Sequence, residues 1–214
     1  MRDAGVIIRT LTAAPLKMLT SEHVGPYSFW AITAVGSERD YRHFLPRILE
    51  LSVRDPQWPG AEPEVTAAKL NLAGWRTWPS DQQEAVRRFL NAAFLSAIDR
   101  HPEQSGCAES WFCALATVRE PIADAIDRWG SMGTLNSALQ IAALIIANAQ
   151  DLNRHAELRT GFWEVVDQPA RREIGLWLTA DDTRRALGLA AERASDDDLF
   201  CLFDPALGAL TIGA

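Results

Sequence analysis

Histidine, cysteine and paired carboxylates are the side chains that could do chemistry in this chain, so their spacing is read first. A helical metal site needs two ligands three or four residues apart, which places both on one face. None of His23, His43, His101 and His155 has a histidine or carboxylate at that distance downstream, and His-Glu-x-x-His does not occur. Cys107 and Cys113 are six apart, on different sides of any helix holding both. Asp181-Asp182 and the run Asp196–Asp198 could hold a divalent cation, but read better as helix starts, where the helix dipole favours negative charge.

Nucleophiles and phosphate cradles are equally scarce. Gly130-Ser131-Met132-Gly133 falls one residue short of Gly-x-Ser-x-Gly and lies in a turn between helices, without the strand that a nucleophile elbow needs. Cys107, near a helix start with His101 upstream, could have an activated thiol; a small buried hydrophobe is the simpler reading. Neither Gly-x-x-x-x-Gly-Lys-Ser/Thr nor Gly-x-Gly-x-x-Gly is present. No cofactor is implied.

Tryptophan and arginine remain. The chain has 8 Trp, and Trp75 and Trp78 flank a connector that also holds Arg76. Trp and Arg are favoured at the centres of protein interfaces. Arg42 and His43 leave the apolar stripe of their helix and stand near Pro46, where they are available to a partner. Arg42, His43, Trp75, Arg76 and Trp78 are therefore the candidate partner-binding residues. Two tryptophans plugging the gap between helix ends is the structural alternative.

The elements that carry these residues are helical. Tyr41, Phe44, Leu45, Ile48 and Leu51 recur at the spacing of a core-facing stripe, and the other helices should collect around this one. Pro46 lies too deep to be a first-turn residue and predicts a kink or break. Pro26 is read as the first turn of a helix to about Val35, with Gly36 as its stop. Asp55–Pro63 reads as a loop and Pro63 as the start of a helix ending at Gly74. Ser80 with Gln83 reads as a capping box, ahead of the cleanest period in the chain: Val86, Phe89, Leu90, Ala93, Phe94.

Further helices are expected around Trp111–Val118, from Pro121 to Gly130, from Thr134 through Ala149, over Gly161–Val166, from Asp167, from Thr179 and from Asp196 through Phe203. That makes about ten helices in antiparallel pairs, an all-α domain spanning 1–214 with 1–20 as a loosely packed arm or a first short helix. The array is HEAT-like or irregular, since no fixed repeat period is visible.

The run Tyr27–Leu51 (YSFWAITAVGSERDYRHFLPRILEL) resembles an uncharacterised family of helical bacterial proteins sharing a Tyr-Arg-His-Phe-Leu-Pro-Arg-like core. Lys69-Leu70 and Ala73–Pro79 (AGWRTWP) look like the same family, whereas Val35 stands where a Trp is expected before the Gly. The resemblance implies a helical bacterial protein and carries no catalytic residue across.

Charge narrows the partners. The net charge is −7. Residues 1–107 hold 12 basic and 12 acidic side chains and residues 108–214 hold 9 and 16, so the excess lies entirely in the second half. Such a surface repels a phosphate backbone, which argues against general nucleic-acid binding. Only Lys17 and Lys69 are lysines among 21 basic residues, a bias that reads as GC-rich coding rather than a binding device. Three cysteines make no disulfide framework, and Met1-Arg2-Asp3 opens no signal peptide; both point to the cytoplasm. Ala138–Ala149 is shorter than the roughly 20 residues a bilayer span requires, so no membrane is expected.

The expected function is a non-catalytic helical protein-interaction or scaffold protein of the bacterial cytoplasm, with another, basic protein as partner. The alternative is an enzyme whose acidic or metal-dependent site is assembled by the fold.

Overall fold

A computed structural model describes residues 4–54, 62–103, 108–194 and 197–210, with the side chains of 197–201 left aside. Among them the protein is all-α. Its twelve α-helices are α1 (Ala4–Leu11), α2 (Ser21–Trp30), α3 (Glu38–Arg54), α4 (Pro63–Leu72), α5 (Ser80–Ile98), α6 (Ala108–Thr117), α7 (Ile122–Ser131), α8 (Leu135–Ala147), α9 (Ala149–His155), α10 (Gln168–Thr179), α11 (Asp181–Arg193) and α12 (Asp197–Ala209). Three short 3-10 turns cover Leu16–Met18, Trp75–Thr77 and Gly161–Val165. No strand occurs among the described residues; Ala31 and Val35 form an isolated bridge. The chain divides into two compact units, Met1–Leu90 and Asn91–Ala214, with the division falling inside α5.

In the first unit α3 is the organising helix, in contact with α2, α4 and the Leu16–Met18 turn. Ser37 starts it: its backbone N–H donates to Asp40 Oδ2 at 2.8 Å and its Oγ receives the Asp40 N–H at 3.4 Å, closing a capping box. Tyr41, Leu45, Ile48 and Leu51 are buried as the stripe requires. The Tyr41 hydroxyl donates to the Thr66 carbonyl of α4 at 3.1 Å, and Tyr27 meets Phe44 edge-on at 5.1 Å. Residues 4–11 form a short first helix that packs against α2.

Several local expectations are corrected. Pro26 lies inside α2, because Thr20 and His23 cap a helix that starts at Ser21, five residues before it. That helix also stops at Trp30, short of Val35. Pro46 does not break α3, which runs on to Arg54; packing of the buried stripe outweighs one lost backbone bond. Gln83 forms no box with Ser80. Its amide donates to the carbonyls of Arg76 and Trp78 at 2.9 and 2.7 Å and so ties down the connector.

The second unit is built on α8, which packs against α12, α11, α9 and α6. An aromatic cluster fills its centre: Phe94 stacks on Phe112 at 5.4 Å, Trp129 stands edge-on to Phe112 at 5.2 Å, and Trp177 lies tilted beside Trp129 at 5.5 Å. Gln140, fully buried, receives the Ala108 N–H at 3.0 Å and donates to the carbonyls of Ala97 and Arg100 at 3.3 and 2.9 Å. It thereby fastens α8 to the end of α5 and the start of α6.

The expected helix through Ala149 instead ends at Ala147. The Asn148 amide turns back to the Leu144 carbonyl and to Glu109, and α9 follows. α9 closes at Ala156 in the left-handed region, φ +51°. Directly over that closure passes Gly175 of α10: a Cβ there would lie 2.1 Å from the Ala156 carbonyl oxygen and 2.8 Å from Glu157 Cα. The close approach brings the buried Glu157 carboxylate to Arg159 at 3.2 Å, Gln168 at 3.3 Å and Arg171 at 3.9 Å. The last helix runs past Phe203 to Ala209, because Ala206 and Leu210 continue its buried face.

Candidate functional site

The sequence places Leu45, Leu49 and Val53 four residues apart on α3, a second apolar row beside the core stripe. On α5, Ala85, Val86 and Phe89 make a matching patch. Between the two helices lies a trough of about 1070 Å³, lined by both rows, by Pro46 and by Trp78. Its floor is Leu45, Leu49 and Val86, all buried, while Phe89 and Val53 are half-buried and Pro46 and Ala85 open to solvent.

Charged side chains border this apolar floor. Arg39, Arg42, Arg54 and His43 line the trough with Glu38 and Glu50. Both carboxylates are already engaged. Glu38 Oε1 accepts the Trp78 indole N–H at 3.0 Å. Glu50 receives Arg47 at 2.6 Å and Arg54 at 3.0 Å, and the hydrogen bond from Arg47 holds its carboxyl below the usual range. Arg42 lies over the Trp78 ring at 5.3 Å and donates through Nε to Gln82 at 2.5 Å. Arg39 is exposed and makes no ion pair among the described residues.

Of the five residues singled out from the sequence, three meet here: Arg42, His43 and Trp78 all line the trough. Trp78 is 5% exposed, so it serves as a fixed wall under Arg42 rather than a projecting anchor. Trp75 and Arg76 do not line it. Trp75 is buried, with Arg76 and Arg87 over its ring at 5.1 and 5.4 Å. Sequence reasoning missed Arg39, Arg54, Leu49 and Val53. The signal for the last two was present in the spacing 45, 49, 53, which the stronger core stripe overshadowed.

The residues weighed for chemistry are dispersed. His23 caps α2, the His101 ring accepts the Glu103 N–H at 3.3 Å, and His155 ends α9. Two carboxylates lie one turn upstream of a histidine, and both are committed elsewhere. Asp40 is bonded to Ser37, which holds its carboxyl below the usual range, and Asp151 accepts the backbone N–H groups of Arg159 and Thr160 at 2.9 Å. Ser131 donates to the Arg128 carbonyl at the end of α7, and Gly133 turns the chain at φ +65°. Asp181 and Asp182 open α11 and pair with Arg184 and Arg185. Cys113 is buried and in no disulfide among the described residues. Cys107, Asp196 and most of the expected loop Asp55–Pro63 lie outside the described residues, as do the side chains of Asp197, Asp198 and Cys201. Among the described residues no group of three or more His, Cys, Asp or Glu side chains could hold a metal ion. No helix among them is long and apolar enough to cross a membrane.

Comparison with protein-family models, with curated proteins and with solved structures finds no match.

Proposed function

We propose that this is a non-catalytic helical interaction protein whose first unit receives an amphipathic helix of a partner protein in the α3–α5 trough. The observation that carries the reading is the trough itself: an apolar floor between two helices, with cationic side chains along the rim. Helix-in-groove recognition uses such a floor for the guest's apolar face. The rim sets the guest's charge. Three arginines face two carboxylates that are already engaged, so the unmet demand is for acidic side chains flanking the guest's apolar stripe. A basic partner, as the net charge suggests, would suit the acid excess of residues 108–214 and concerns another surface. A bacterial cytoplasmic setting, and kinship with the helical family that shares the Tyr-Arg-His-Phe-Leu-Pro-Arg core, belong to the same proposal.

The test is a photo-crosslinking residue at Val53, in the full chain expressed in its native cells, with exposed Leu72 as control position. The expected result is an adduct at Val53, absent at Leu72, that maps to an acidic amphipathic helix and disappears with Leu49→Glu. No adduct above the Leu72 control, or an adduct mapping to an extended or basic segment, would overturn the reading.

A further inference from the structure

The second unit has a cavity of its own, about 440 Å³, bounded by the α7–α8 turn on one side and by α10 and α11 on the other. Its size falls in the range of roughly 300–1,000 Å³ usual for small-molecule sites. Trp129, Trp177, Ile141 and Leu187 supply the walls. Gly130, Ala138 and Ala186 stand where larger side chains would fill the space. A Cβ on Gly130 would already touch the Trp177 indole nitrogen at 3.7 Å. Leu135 and Leu189, 36% and 50% exposed, flank the opening with apolar surface that none of the described residues of this unit covers.

The polar atoms around the cavity divide unevenly. Acceptors and hydroxyls are in use. Ser137 donates to the Trp129 carbonyl at 3.2 Å, Thr183 to the Trp177 carbonyl at 2.7 Å, and Thr134 Oγ1 accepts the Ser137 N–H. Asp182, on the lining, is paired with Arg185 at 2.9 Å. The Trp129 indole N–H is donated to the Ser137 carbonyl. Donors are left over: the Trp177 indole N–H has no acceptor among the described residues. Arg193, on the same face of α11 as Ala186 and Leu189, uses among the described residues only its Nε, donated to the Leu189 carbonyl at 3.0 Å.

An apolar chamber with spare donors and a guanidinium asks for a particular ligand: a hydrophobic body carrying an anionic acceptor. We propose that this cavity binds a small aromatic or branched carboxylic acid, its ring or chain between Trp129, Trp177 and Leu187 and its carboxylate met by Arg193. Guanidinium–carboxylate hydrogen bonds are the stronger, charge-assisted kind, so the acid is preferred to its neutral ester. The proposal is independent of the α3–α5 trough and concerns only residues of the second unit.

The test uses the full chain, ¹⁵N-labelled, with 2-naphthoate as probe and its methyl ester as neutral comparator. The readout is the indole N–H resonance of Trp177, assigned from its loss in Trp177→Phe. Naphthoate should shift it saturably, with the ester weaker by about tenfold, the size of one charge-assisted hydrogen bond. Arg193→Gln should weaken naphthoate about tenfold and leave the ester unchanged. Ala186→Phe, at an exposed helical position, should fill the chamber and abolish the shift with the melting curve unaltered. The proposal is overturned if the Trp177 resonance does not respond up to the solubility of the probe, if the ester binds as well as the acid, or if Arg193→Gln changes neither.

Discussion

Gly175→Ala adds one methyl group at the point where α10 crosses the end of α9. The new carbon would sit 2.1 Å from the Ala156 carbonyl oxygen, about 1.3 Å inside ordinary contact at 3.4 Å. The obstacle is backbone, so no rotamer change relieves it, and α10 must move away from residues 156–157. That movement loosens the bonds from Gln168 and Arg171 to the buried Glu157 carboxylate. Overpacking of this kind costs about 1–3 kcal/mol, and a backbone clash belongs at the upper end. Alanine returns about 1 kcal/mol of helix propensity relative to glycine. The net loss is about 2 kcal/mol, or a Tm lower by about 4–8 °C for a chain of this size. Gly188→Ala is the matched control. It lies inside α11 with nothing within 4 Å of its would-be Cβ, so only propensity acts and stability should rise by about 0.5–1 kcal/mol. Urea unfolding of both variants reads the difference. Equal stability of Gly175→Ala and the parent protein would refute the close-approach argument.

Other side chains make separable predictions. Gln140→Leu takes the acceptor from the buried Ala108 N–H and a donor from each of the Ala97 and Arg100 carbonyls, of which Ala97 keeps the Arg100 N–H, and should cost about 2–4 kcal/mol in urea unfolding. Tyr27→Phe removes a buried hydroxyl that has no hydrogen-bond partner among the described residues and should be neutral or stabilising by up to about 1 kcal/mol. Tyr41→Phe removes the donor to the Thr66 carbonyl and should destabilise by about 1 kcal/mol; the contrast between the two tyrosines is the measurement. Burial pushes the Lys69 ammonium below its usual pKa, so between its folded value and about 10.4 the unfolded chain binds more protons than the folded one. Stability should therefore rise with pH in that window, up to about pH 10, where the unfolded chain's tyrosines begin to ionise while burial still holds back Tyr27 and Tyr41. Lys69→Met should flatten the rise in urea unfolding between neutral pH and about 9.5.

What the sequence discloses here is what depends on neighbours along the helix. The all-α class and the start of α3 at Ser37 follow from spacing and caps that act within one turn. Pro63 at the head of α4 and Thr134 before α8 do the same. The failures share another cause. Gln83 looks like a cap partner for Ser80, yet its amide reaches carbonyls five and seven residues upstream. Asn148 ends α8 within a largely apolar run because Glu109, far away in the chain, receives its amide. The trough was half legible. Arg42, His43 and Trp78 stood out by type, but Arg39 and Arg54 acquire meaning only when α5 lies beside α3, which no local pattern encodes. The cavity beside Trp177 was not legible at all: its signature is the set of donors left unused, and that is a property of the assembled unit.

Pro46 gives the trough one further property. It has no amide hydrogen, so the carbonyl of Arg42 goes without the rung that four-residue spacing would supply, halfway along one wall. A helix missing a rung bends at lower cost there than elsewhere. Amide exchange in α3 should be fastest on either side of that point, and the wall can lean outward for a bulky guest or inward for a slim one. Under the proposed function, such a wall suits tolerance of several related guests more than strict discrimination of one.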